Sequence, residues 1–366
     1  MAIRKNKYWD IRPILKTNAD YHLIFGKRSN GKTFGCCGAG LTSYINNGAR
    51  IAYVRRYAEE ITPRNIENLF LPHPIDELTD GNYNGTVYRS HKFRLAKFEN
   101  GETAAVDDTV FCQTFALNTW ERQKGADNGK FDYIIFDEFM TRGNYLPNEF
   151  VIFCNVLSTL LRDRAGTKIF MLANTVNKYS PYFGEMGLTD VIEHLQQGDI
   201  KTVKSKSGLK ISVEYCADTD NTAAVNKYFD FDNKRLEMIV NGKWEIKNYA
   251  HLSERITKED IVLRFYVFFD TKLFCGDVCF KHDDYFIHFH SAKETEIDYS
   301  KHFIYSDVPS INPLHSTSIY SGQTKAHAYI AYLIDIGKCF YSDNEIGEVV
   351  RNWLLHQRQI KQRSLD

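Results

Sequence analysis

The chain has 366 residues, and its 46 lysines and arginines balance 46 aspartates and glutamates. A quarter of the residues are charged with no net charge, which argues against a long disordered tail or a polybasic arm, and a 43 per cent apolar share, 14 per cent of residues being aromatic, excludes a largely disordered chain. The length suits two domains with a sizeable core in each.

Eight scattered cysteines (36, 37, 112, 154, 216, 275, 279 and 339) and the lack of a leader pattern predict a reduced, cytoplasmic setting. Apolar stretches such as IVLRFYVFF are too short to cross a bilayer as a helix.

Up to about residue 215, short apolar runs alternate with helix-like segments, the pattern of an α/β domain with a central parallel sheet. Strands are predicted over 21–25 (YHLIF), 50–54 (RIAYV), 109–117 (TVFCQTFAL), 131–136 (FDYIIF) and 167–172 (TKIFML), with helices over 33–46 and 148–161. From Cys216 the Asn/Asp-rich ADTDNTAAVNKYFDFDNKR reads as a connector. The expected division is therefore 1–215, a linker 216–250, and a smaller α+β domain 251–366. That last part begins with aromatic strands broken by Asp and Gly turns and ends with the helical pattern NEIGEVVRNWLLHQRQ.

The most specific motif is Gly26-Lys27-Arg28-Ser29-Asn30-Gly31-Lys32-Thr33, a complete GxxxxGK[ST] between the strand YHLIF and a helix. Glycines let backbone N–H groups cradle phosphate oxygens, and the next helix points its positive end at the anion. Lys32 then reaches the β and γ phosphates of ATP, and Thr33 gives a hydroxyl to Mg²⁺. Gly35, Gly38 and Gly40 weaken that helix by about 1 kcal/mol each, so close packing beneath the loop is expected. The Cys36-Cys37 pair on the same helix reads as packing.

A hundred residues on, YIIFDE is a buried strand ending in two carboxylates. Asp137 suits the Mg²⁺ shell, and Glu138 suits polarisation of an attacking water. The long interval leaves room for TVFCQTFAL between the phosphate-loop strand and the acidic strand of the sheet. TKIFML leads into Asn174, whose amide can touch the γ phosphate or the lytic water. Arg162 and Arg164 follow the apolar helix; two readings stand, a finger reaching a neighbouring subunit's γ phosphate, worth about 10³ to 10⁵ in rate where known, or a solvated helix end.

Together GKRSNGKT, IAYVRRYAEE, IIFDEFMTRGNYLPNE and LLRDRAGTKIFMLANTVNKYSPYF resemble the DNA packaging ATPase of small tailed phages, the phi-29-like, terminase-like (ASCE) P-loop ATPases. The resemblance covers residues 21 to about 185. It implies that Lys32 is the phosphate lysine, Asp137 the metal carboxylate, Glu138 the catalytic carboxylate and Asn174 a coupling residue. It favours Arg162 over Arg164 as the finger in trans, adds Lys124 as a second candidate across the boundary, and places Arg28 near the γ phosphate. Arg55 and Arg56 match its YVRRY, whereas Ala58 stands where a lysine follows that motif in relatives.

It further implies an ATP- and Mg²⁺-dependent motor, a homo-oligomeric ring, pentameric, in the host cytoplasm and docked at the portal vertex of a procapsid. Its polymer is double-stranded DNA held by the backbone, with a structural RNA as a further partner in some relatives. No DNA-gripping residues are assigned.

For the last domain the resemblance implies a ribonuclease H-like fold without its catalytic set, used for docking. Asp270, Asp277, Asp283, Asp284 and Asp298 invite an active two-metal nuclease instead, but most sit where the strand pattern breaks and turns favour Asp. Cys275, Cys279, His282, His288 and His290 have loose spacing for zinc, and Tyr266, Phe268, Phe269, Tyr285, Phe286 and Phe289 read as core.

Overall fold

The computed structural model describes residues 8–122, 130–141, 145–146, 148–161, 166–175, 180–205, 207–217, 249–269, 272–321 and 324–363. Contacts divide the chain into two compact units, Met1–Tyr182 with Val191–Glu245 and Phe183–Asp190 with Ile246–Asp366. Most of the proposed linker lies outside the described residues. Among the described residues no helix is long and apolar enough to cross a membrane.

In the first unit the apolar runs become β1 (Tyr21–Gly26), β2 (Ile51–Arg55), β6 (Cys112–Ala116), β7 (Tyr133–Asp137), β8 (Lys168–Asn174) and β10 (Lys210–Tyr215). All six pair in parallel, in the order β6-β2-β7-β8-β1-β10. Covered on both faces, such strands carry apolar side chains almost continuously, and Leu23, Ile24, Phe25, Ile134, Ile135 and Phe136 are fully buried. The helices expected beside the phosphate loop and before residue 162 form over Lys32–Asn47 and Glu149–Leu161.

The lateral order corrects one expectation. The strand between β1 and β7 is β8, not TVFCQTFAL, whose β6 lies outside β2. Chain interval shows that an extra strand exists but not where it pairs. The observed register sets Gly26 beside Asn174 and Asp137 beside Leu172, so Asn174 arrives next to the phosphate loop. An antiparallel edge was also not anticipated: β3 (Gly85–Arg89), β4 (Lys92–Glu99) and β5 (Glu102–Val106) on one side, and β9 (Ile200–Lys204) on β10 at the other. Its signal was present in Asn100-Gly101, a hairpin dipeptide in which both residues have positive φ, 53° and 82°.

The helix glycines do allow close approach. A Cβ at Gly35 would stand 2.9 Å from the Trp9 ring, at Gly38 2.9 Å from His73, and at Gly40 2.7 Å from Ile51. Cys36 and Cys37 are fully buried beneath them, as packing requires.

The second unit is α+β. β11 (Ile261–Phe269), β12 (Lys272–Lys281) and β13 (Asp284–Ser291) form an antiparallel meander, and β14 (Phe303–Tyr305), β15 (His315–Ser316) and β16 (Cys339–Tyr341) extend it through parallel pairs. The helix Asn344–Arg363 buries Val349, Val350 and Trp353. Tyr266, Phe286 and Phe289 are core as expected, but Tyr285 is exposed and packs on Phe280 and Tyr329.

Asp277 is not a turn residue. It lies mid-strand on β12, buried, with Arg264 bonded to both its oxygens at 2.5 and 2.7 Å. Its neighbour Gly276 is needed because the Phe265 ring covers the place of a side chain. Asp283 does occupy the turn, at φ 60°, Asp284 pairs with Lys338, and Asp298 bonds Lys301 at 2.8 Å. Asp270 lies outside the described residues. Among the described residues the grouping of three or more His, Cys, Asp or Glu is Cys275, Asp277 and His290, and it holds a single carboxylate.

His22, mid-strand on β1, is fully buried and stacks on Phe170 at 4.9 Å. Burial, helped by the charge of Lys168, lowers its pKa to about 4. The unfolded chain therefore binds a proton that the folded chain refuses, so stability is complete above about pH 6.5 and falls as pH drops toward 4, by about 1.4 kcal/mol per unit. Chemical denaturation of wild type and His22→Phe across that range should show the acid slope reduced by that amount in the variant.

Candidate nucleotide site

β1 delivers the chain to Gly26, and the loop then turns through Ser29 (φ 59°) and Gly31 (φ 96°) before the helix starts at Lys32. A positive φ at Gly31 is what a glycine there permits. Lys32 is 6 % exposed, and its ammonium donates to the Lys27 carbonyl at 2.7 Å and Asn30 Oδ1 at 3.0 Å. Burial lowers its pKa. Polar atoms of the loop thus hold the lysine head against the turn.

The two motifs meet at Asp137. Its Oδ2 accepts the Thr33 hydroxyl at 2.9 Å and the Tyr53 hydroxyl at 2.7 Å, while Oδ1 accepts the Glu138 backbone N–H at 3.0 Å. A hydroxyl and a carboxylate this close form the hard, all-oxygen donor pair that suits Mg²⁺. Thr33 and Asp137 therefore fit that ion.

Glu138 follows at φ 61°, an unusual conformation for a non-glycine residue and one that clusters at functional sites. Its carboxylate, 45 % exposed, accepts a hydrogen bond from Arg55 Nη2 at 3.0 Å. Arg55 also bonds Glu60 at 3.1 Å and stands 3.8 Å from Asp137. One guanidinium from the end of β2 thereby reaches both motif carboxylates. The next residue does different work. Arg56, 4 % exposed, pairs with Glu149, 3 % exposed, at 2.8 and 2.9 Å, and donates to the carbonyls of Glu138 and Phe139 at 3.0 and 2.7 Å. Tyr182 donates to the same Glu149 at 2.8 Å.

Arg28, Ser29, Asn30, Gly31, Lys32, Thr33, Phe34, Asp137, Glu138, Ala173 and Asn174 line one cavity of about 320 Å³. The structure thus gathers the expected phosphate-loop residues, both carboxylates and Asn174. Gly26 and Lys27 lie behind the loop, their carbonyls turned to Lys32. Lys124, Arg162 and Arg164 lie outside the described residues.

Sequence reasoning missed the support. Trp9 donates its backbone N–H to the Asn30 carbonyl at 2.8 Å and its indole N–H to Glu214 at 2.7 Å. Burial raises the Glu214 pKa to about 7. These partners are 205 residues apart, so no local pattern could join them.

The family model described as Podovirus DNA encapsidation protein (Gp16) matches residues 3–197. The chain belongs to this family. Its encapsidation relatives include the DNA packaging protein of Bacillus phage B103, 26 % identical over 170 residues, covering 46 % of this chain and 48 % of that protein. The DNA packaging protein of Bacillus phage phi29 is 24 % identical over 182 residues, 49 % of this chain and 50 % of that one. The chain spans about half the length of the curated relatives it matches. Two solved structures share the fold across nearly all of the chain. The Phi-28 gp11 DNA packaging motor has a TM-score of 0.55 at 16 % identity, covering 96 % of this chain and 98 % of that one. The bacteriophage Phi-29 viral genome packaging motor assembly has a TM-score of 0.56 at 16 % identity, covering 97 % and 99 %.

Removing one partner of a buried ion pair leaves an uncompensated charge, at about 3–5 kcal/mol. Arg56→Ala should lower the denaturation free energy of the first unit by that amount, while Arg56→Ala/Glu149→Ala should recover part of it in the same urea titration.

Proposed function

We propose that the protein is an ATP-hydrolysing motor that drives double-stranded DNA into a preformed phage procapsid. The observation that carries this reading is the convergence of Lys32, Thr33, Asp137, Glu138 and Asn174 on one cavity, in a chain of the encapsidation family. Lys32 and the loop N–H groups bind the ATP phosphates. Thr33 and Asp137 would hold Mg²⁺, which would supply charge neutralisation for the phosphates when bound. Glu138 orients and polarises the attacking water, and Asn174, set beside Gly26 by the register of β8, senses the γ phosphate.

The working form is a homo-oligomeric, pentameric ring at the portal vertex, in the host cytoplasm, with Arg162 and Lys124 acting on the neighbouring subunit's nucleotide. A head-to-tail interface that closes supplies each site with such a group. DNA contacts go to the phosphate backbone and are independent of sequence. Five copies around one channel make a modest basic patch sufficient, so net neutrality is compatible with this partner. The reading divides the chain into an ATPase domain 1–215, a linker 216–250 and a docking domain 251–366 that contacts portal, capsid or a structural RNA. That Asp277, Asp284 and Asp298 are taken up by Arg264, Lys338 and Lys301 supports docking over DNA cutting.

Glu138→Gln should retain ATP binding and lower turnover by about 10²- to 10⁴-fold, the usual worth of a positioned base; unchanged hydrolysis removes Glu138 from its role. Packaging is read by protection of DNA from nuclease in the presence of procapsids and ATP. Protection should disappear with the same substitution, and an ATPase that never protects DNA is an assembly factor rather than a motor. Arg162→Ala should be inactive alone and regain hydrolysis in rings mixed with Glu138→Gln subunits; absence of rescue with normal mixed assembly places the finger elsewhere.

A further inference from the structure

Eight of the twelve histidines lie beyond residue 250, and two of them meet a cysteine and an aspartate on one face of a sheet. Successive strand residues point to opposite faces. On β12 and β13, Phe274, Gly276, Val278, Ile287 and Phe289 share one face and are buried. Cys275, Asp277, His288 and His290 therefore share the other. The register sets Cys275 opposite His290 and Asp277 opposite His288, which makes a two-by-two patch of metal-binding side chains.

The distances are those of a coordination shell. His290 Nε2 stands 3.0 Å from Cys275 Sγ and 3.1 Å from Asp277 Oδ2, and the ligand atoms of all three residues lie within 4.8 Å of one another. Tetrahedral bonds of about 2.0 to 2.3 Å put ligand atoms some 3 to 4 Å apart. His288 lies beside them, outside the set whose ligand atoms fall within 4.8 Å, its ring 5.6 Å from that of His290. A cavity of about 550 Å³ opens over Asp277, His288 and His290, giving an ion a way in. Arg264 already fixes the Asp277 carboxylate, and each carboxylate oxygen keeps a lone pair for a second partner. An outer hydrogen bond of this kind is how metal carboxylates are oriented.

We infer that Cys275, Asp277 and His290 bind a zinc ion that ties β12 to β13, and that the His288 ring turns inward to complete the shell. A thiolate with two imidazoles selects zinc over magnesium or calcium, which take oxygen ligands. With one carboxylate the site is a single-ion tie, unlike the paired-metal site of a nuclease. Cys279 and His282, the other members of the sequence pattern, are not part of it; His282 lies at the β12–β13 turn and bonds Glu254 at 3.1 Å. Cys275 loses its thiol proton on binding, and His290 exchanges its bond to Asp277 for one to the metal.

The test uses the full chain, stripped with a chelator and titrated with Zn²⁺ or Co²⁺. The expected result is one zinc per chain by atomic emission. Cobalt should give a thiolate-to-metal charge-transfer band, which the all-oxygen Mg²⁺ site of the phosphate loop cannot produce. Cys275→Ser should abolish the band and weaken zinc at least about tenfold, with an unchanged far-ultraviolet circular dichroism spectrum. His288→Ala, at a half-exposed position, should change the cobalt d–d spectrum without loss of folding. A wild-type chain that binds no zinc or shows no charge-transfer band overturns the inference, as does a Cys275→Ser chain that keeps both; an unaltered cobalt spectrum in His288→Ala removes the fourth ligand.

Discussion

The carboxylate of Asp137 is the point on which the candidate site depends. One oxygen accepts both Thr33 from the phosphate-loop helix and Tyr53 from β2, and the other accepts the backbone of Glu138. Three separate pieces of chain are joined through one side chain that is itself 8 % exposed. Burial, with Asp137 adding to it, keeps the Tyr53 phenol protonated and therefore a donor. The arrangement is possible because β1, β2, β7 and β8 run parallel and end at the same edge, where loops after strands converge.

That edge shows why some of the site was legible and some was not. GKRSNGKT and YIIFDE are local patterns whose geometry follows from a strand, a glycine turn and a helix, so the meeting of Lys32, Thr33, Asp137 and Glu138 on one cavity is legible from the pattern. Asn174 was named for its place after TKIFML, yet its reason for being at the site is lateral: β8 is inserted between β1 and β7. Strand order depends on which apolar faces pair and which helices cover them, and that information is spread over the whole unit. Arg55 and Arg56 were visible as a motif, but their partners Glu138 and Glu149 are 83 and 93 residues away.

Asp277 illustrates the opposite failure. An Asp beside a Gly in an aromatic run has the composition of a turn, and the turn reading of GDV was chemically sound. What overrode it was tertiary: Phe265 needs the space over Gly276, and Arg264 on the neighbouring strand satisfies the buried carboxylate. A charged group in mid-strand is tolerated only when such a partner is present, and the partner is invisible until β11 and β12 are placed in register.

Arg55 and Arg56 are adjacent in sequence and opposite in physical character. The Arg56–Glu149 pair is closed to solvent, bonded on all sides and shared with Tyr182, so breaking it leaves a buried charge. It fixes the backbone of Glu138 and Phe139, and with it the position from which the Glu138 side chain starts. The Arg55–Glu138 bond is open to water on the carboxylate side, although Arg55 itself is largely buried. A carboxylate in contact with water can exchange such a bond for water at lower cost than one that is closed in. The chain thus places a rigid anchor and a more open restraint on successive residues, Arg55 being the last residue of β2 and Arg56 the first beyond it.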